Sequence, residues 1–222
     1  MPLRWVDVDV GGQAMECCLS YPEASGRFPA ILVIQEIYGV DSHIQAVVEG
    51  LPRKEYVGLA PAMYHREGPM TTGLHEEFPT ALDRVSRCTD DNILSDVKSA
   101  LAFLQEQPFV LSDRIGIVGF CFGGRVSYLA AGSISDIKAT VVFYGGLILQ
   151  PLGRSGPSPL ELTSDITSPL LGLFGQEDQN PTPEDVGMIE SELQKHGIAH
   201  EFHLYPDADH GFHCDTRPSY RP

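Results

Sequence analysis

The sequence predicts an α/β fold: a mainly parallel sheet with helices on both faces and an antiparallel hairpin at the N-terminus. Three observations carry that expectation. Apolar runs of strand length recur along the chain, helical periodicities separate them, and a Gly-Gly turn joins the first two extended segments.

Residues 5–10 alternate apolar and polar, Gly11 and Gly12 turn the chain, and residues 14–20 extend again, as in a hairpin at a sheet edge. Residues 29–34 form a continuous apolar run, the pattern of a strand buried on both faces. After a loop at 35–40, Asp41 or Ser42 can cap a helix carrying Ile44, Val47, Val48 and Leu51. Pro52 should kink that helix or end it early. Residues 56–60 read as the next strand. The polar excursion from 63 to 90 is too long for a plain loop and reads as functional or partly helical.

Residues 90–105 place Ile93, Val97, Leu101 and Leu104 on one helical face. A strand at 114–120 then runs almost directly into a helix at 123–131. Further buried strands are expected at 139–144 and 169–174, with a loop between them. A helix at 183–196 is stopped by Gly197, and a last strand follows at 201–205. Neither an internal repeat nor a linker interrupts the chain, so residues 1–222 read as a single domain.

Composition excludes several function classes. The chain is 42% hydrophobic and 20% charged, the balance of a folded protein rather than a disordered one. A net charge of −15 repels nucleic acid and anionic lipid. No apolar stretch approaches the ~20 residues of a membrane-spanning helix, and Asp7 and Asp9 interrupt any signal-like start. The five cysteines, two of them adjacent, make a poor disulfide framework and suit reduced thiols in the cytoplasm.

The informative motif is Gly119-Phe120-Cys121-Phe122-Gly123, set between a strand and a helix. This is a nucleophile elbow with Cys in place of Ser. Its glycines allow a turn too sharp for larger side chains. The helix N-terminus behind Cys121 favours negative charge on the sulfur, and the N–H of Phe122 would face a developing oxyanion. A buried structural cysteine in a tight turn is the plain alternative. Chain order favours chemistry: Asp178 follows one later strand and His210 the next, as acid and base follow the nucleophile in an α/β-hydrolase. Glu177 and Asp185 are rivals to Asp178. His203, His210, His213 and Cys214 fit no zinc spacing, so neither a metal nor another cofactor is expected.

Taken together, Gln35-Glu36-Ile37-Tyr38-Gly39, Gly119-Phe120-Cys121-Phe122-Gly123-Gly124, Gly175-Gln176-Glu177-Asp178 and His210-Gly211-Phe212 resemble the dienelactone hydrolase family of α/β-hydrolases. The resemblance covers nearly the whole chain. It implies a Cys121, His210, Asp178 triad and an oxyanion hole from the backbone N–H groups of Ile37 and Phe122. It also implies that Glu36 contacts the resting thiol and helps activate it. The implied substrate is a small ester or lactone, one that bears a carboxylate in the enzymes that define the family.

Two features depart from the family pattern. The position four residues after the histidine, where those enzymes carry an arginine, is Cys214, and the nearest arginine is Arg217. Arg84, Arg87 and Arg217 are therefore candidates for binding a substrate carboxylate, each of which could equally be a surface residue. The family's final helix is also expected to be missing or truncated after Tyr220, which leaves monomer and homodimer both open. A redox sensor using the Cys121 thiol is the competing function, with Cys88 or Cys214 as its resolving partner.

Overall fold

A computed structural model describes residues 2–74, 77–153 and 156–222. The described strands form one eight-stranded sheet, ordered β1-β2-β4-β3-β5-β6-β7-β8. The hairpin is β1 (Arg4–Val10) and β2 (Gln13–Ser20), and β2 also pairs antiparallel with β4 (Val57–Pro61). All other pairings are parallel: β3 (Phe28–Ile34) lies between β4 and β5 (Val110–Phe120), followed by β6 (Thr140–Phe143), β7 (Leu170–Gly175) and β8 (His200–Tyr205).

Side-chain alternation sends the strand residues to two cores. Leu32, Ile34, Ile115 and Ile117 pack on one face with α3 (Asp90–Glu106) and α4 (Phe122–Ala131). Farther along that face, Val142, Leu170 and Phe174 meet α5 (Pro183–Lys195). On the opposite face Val33 and Phe120 meet Ile44 and Val48 of α1 (Ser42–Gly50). Both faces of the central strands are thus buried, which is why their sequences are unbroken apolar runs.

Local signals act as their chemistry requires. The Asp41 side chain accepts from the N–H of Ile44 at 3.1 Å and starts α1. The helix ends at Gly50, and Pro52 lies in a 3-10 turn that Glu55 closes at φ 63°. The excursion after β4 contains α2 (Phe78–Arg87). The 145–168 segment, expected as loop, holds a 3-10 helix at Pro159–Asp165 capped by Ser158. β5 begins four residues earlier than its apolar run suggests, because Phe28 of β3 pairs with Val110 across the register shift. Beside the chain's last residues, a groove of about 890 Å³ is lined by Phe143, Leu173, Tyr205 and Phe212. Among the described residues, no helix is long and apolar enough to cross a membrane.

Candidate active site

The parallel strands bring their carboxyl ends to one edge of the sheet, where open α/β sheets form clefts. Glu36 and Ile37 follow β3, Cys121 follows β5, Asp178 follows β7 and His210 follows β8. Residues far apart in sequence therefore converge.

Cys121 sits alone between β5 and α4 with φ 56° and ψ −117°. A non-glycine residue in that region is strained and persists only when its surroundings hold it there. Here the Cys121 N–H donates to Phe143 O at 3.0 Å, while its carbonyl accepts from Gly124 and Arg125. The glycines are required by close approach. A Cβ on Gly119 would lie 1.9 Å from Gly123 O, and one on Gly123 would lie 2.3 Å from Ile34 O. Phe122 opens α4, where an N–H has no acceptor within its own helix.

Asp178 is buried, and both carboxylate oxygens are used. Oδ1 accepts from the N–H of Asn180 at 2.8 Å, and Oδ2 lies 2.8 Å from His210 Nδ1. The rivals are placed elsewhere: Glu177 is exposed, and Asp185 forms a capping box with Thr182 at the start of α5. Burial disfavours the His210 imidazolium, but the adjacent Cys121 sulfur and Asp178 carboxylate outweigh it and hold His210 well above the ordinary histidine value. The Tyr144 ring meets the His210 ring edge-on at 5.2 Å and limits its tilt. Burial pushes the Tyr144 phenol strongly up, so it stays neutral beside Glu36.

Glu36 is fully buried and neither carboxylate oxygen has a hydrogen-bond partner. Its charge is met by Arg217, whose Nη2 lies 3.5 Å from Oε2 and whose guanidinium lies over the Tyr38 ring. The loop carrying Glu36 and Ile37 is fixed from below. Tyr64 Oη donates to Ile37 O at 3.0 Å, and Met63 N–H donates to Gln35 Oε1 at 3.0 Å.

Cys121, Asp178, His210, Ile37 and Phe122 line one cavity of about 290 Å³. Arg84 and Arg87 do not. They lie on the far side of α2, where Arg84 Nε approaches Glu67 at 3.5 Å and Arg87 Nη2 at 2.7 Å. The face of α2 that does reach the cavity carries Phe78, Leu82 and Val85, at i, i+4 and i+7. That stripe lies within the 63–90 excursion, where its helical spacing is the signal that marks it. Arg125, within the apolar helix α4, carries no sequence signal of its role. It is buried, binds Asp90 through both terminal nitrogens, and donates to the carbonyls of Leu147 and Gln150. It thereby fixes the cavity wall at Gly146 and Leu147, which Asn180 also holds.

Of the histidines read against a zinc site, His203 pairs with Glu201 and His213 packs among Phe120, Phe143 and His43. Among the described residues, no group of three or more His, Cys, Asp or Glu is placed to hold a metal ion. Both resolving-cysteine candidates are thiols turned to other partners. Cys88 faces the Arg84 carbonyl and Cys214 the Thr216 hydroxyl.

The sheet order and the elbow define an α/β-hydrolase. Comparison with known proteins narrows the class. The dienelactone hydrolase family profile matches residues 15–222. A Synechocystis protein named for carboxymethylenebutenolidase activity is 39% identical over 207 residues, covering 91% of this chain and 82% of its own. A similarly named protein of Methylorubrum extorquens is 36% identical, covering 90% and 68%. The crystal structure of a Klebsiella pneumoniae protein named as a dienelactone hydrolase superposes with a TM-score of 0.86 at 29% identity, covering 100% and 92%. This chain belongs to the dienelactone hydrolase family, a family of hydrolases acting on ester or lactone bonds.

Proposed function

We propose that this protein hydrolyses a small ester or lactone through a thioester on Cys121. The observation that carries the reading is the 2.8 Å contact between His210 Nδ1 and Asp178, in the cavity that the strained Cys121 also lines. The Cys121 sulfur attacks the carbonyl carbon. The backbone N–H groups of Ile37 and Phe122 hold the oxyanion. His210 donates a proton to the departing alkoxide, then takes one from the water that cleaves the thioester. Asp178 orients the ring and stabilises its charged form. Glu36 supplies a buried negative charge near the thiol, and Arg217 governs how strongly the sulfur feels it.

The test is turnover of p-nitrophenyl acetate. Cys121→Ala should lower kcat/KM by at least about 10³-fold with an unchanged circular dichroism spectrum. Mass spectrometry of rapidly quenched enzyme should find the acyl group on the Cys121 peptide. Retained turnover in Cys121→Ala would sink the proposal. A Cys121 disulfide formed stoichiometrically under mild peroxide, in a protein without esterase activity, would favour the redox sensor.

A further inference from the structure

The cavity around Cys121 has a wall chemistry that bears on substrate class. From α2, Phe78, Leu82 and Val85 close one side, and Ile37, Phe122 and Leu147 continue the apolar lining. Phe78 and Leu82 are about half exposed, at 50% and 47%, although they face the cavity. Apolar surface left wet in this way is what a bound apolar group would cover, and that burial favours binding.

The charged lining points the same way. Asp178, Asp209 and His210 are the ionisable side chains lining the cavity besides Cys121. Among the described residues, no lysine or arginine joins them. Arg84 and Arg87 belong to α2 yet are held to Glu67 on its other side. Arg217 is held to Glu36 and the Tyr38 ring, and it does not line the cavity. A carboxylate entering here would lose its water and meet two aspartates, and the one cationic group in the lining, His210, is already engaged by Asp178 at 2.8 Å and by the Cys121 sulfur. At about 290 Å³, the space lies just below the ~300–1,000 Å³ usual for small-molecule pockets.

We infer that the substrate presents a compact, uncharged apolar group to this cavity, so that the enzyme selects neutral esters or lactones over carboxylate-bearing ones. The inference rests on the hydrolase reading above. It assigns Leu82 and Phe78 as specificity-determining residues. The sequence resemblance alone suggested the opposite substrate class.

Two esters of similar length separate the possibilities: p-nitrophenyl butyrate and mono-p-nitrophenyl succinate. The expected result is a kcat/KM at least tenfold higher for the butyrate at low ionic strength. Leu82→Arg, placed on the half-exposed helix face, should narrow that ratio at least fivefold by improving the succinate. Equal or preferred turnover of the succinate by the unaltered enzyme would overturn the inference. Binding of the same two esters to Cys121→Ala, followed by calorimetry, reads pocket preference without chemistry. Tighter binding of the butyrate supports the inference even if the unaltered protein turns over neither ester, an outcome that would remove the hydrolase reading alone. Tighter binding of the succinate overturns it.

Discussion

Arg217 reaches back to within 3.5 Å of Glu36, pairing the segment after His210 with the loop after β3. The Glu36 carboxylate is completely buried, and its oxygens accept no hydrogen bond. Removing its cation would leave an uncompensated charge inside the protein. Arg217→Met should therefore cost about 3 kcal/mol in urea unfolding. Adding Glu36→Gln should restore most of that loss, because the stranded charge is then gone. Equal stability of the single and double variants would show that the pair is not coupled.

The His210 shift has a defined sign. Its folded value lies well above the ordinary 6.5 because the Cys121 sulfur and Asp178 overcome the cost of burial. The imidazolium therefore stabilises the fold fully below about pH 6.5, and the contribution is lost as pH rises through the raised folded value. The His210 ring proton should titrate above 6.5 by NMR, and both Cys121→Ala and Asp178→Asn should move it down. A titration unchanged by either substitution would contradict this arrangement.

The thiols should differ in reactivity toward iodoacetamide at pH 7. Burial pushes Cys18 and Cys88 up to about 11, and raises Cys17 and Cys214 as well. A protonated thiol is a poor nucleophile. Cys121 lines the open cavity, so it should carry the first equivalent of label, as read by peptide mass spectrometry.

Arg125 joins two parts of the site that α4 alone could not hold. It reaches Asp90 at the start of α3 and the carbonyls of Leu147 and Gln150. Arg125→Met should destabilise the protein by about 3 kcal/mol, since buried acceptors lose a charged donor. Arg125→Lys keeps the charge but cannot span all three groups. Its expected effect is a raised KM with kcat changed less, because the Leu147 wall shifts while Cys121 and His210 stay in place.

Glycine substitutions should divide sharply by position. Gly123→Ala would place a methyl 2.3 Å from Ile34 O and should cost at least about 3 kcal/mol or prevent folding. Gly187 lies within α5 with nothing near its would-be Cβ. Gly187→Ala should raise stability by about 0.5–1 kcal/mol, read as a shift in the urea midpoint.

Much of this molecule could be read from the chain before any folding. Runs such as 29–34 and 169–174 announce buried strands because both of their faces must be apolar. The Gly119, Cys121, Gly123 spacing announces the elbow because no other residue type tolerates that approach of two backbones. The loops that deliver Asp178 and His210 follow from strand order. All of these rest on rules that act within a few residues or on chain order alone.

What the chain could not disclose depends on contacts across the fold. Three arginines looked equivalent as carboxylate ligands, yet packing turns Arg84 and Arg87 onto Glu67 and brings Arg217 to Glu36. Arg125 resembled any residue of an apolar helix until Asp90, Leu147 and Gln150 closed around it. The apolar wall of the cavity was likewise undecided until α2 was oriented over Cys121. Side-chain charge is a property of sequence, but which charge it meets is set by elements dozens of residues away, and burial then makes that choice energetically decisive.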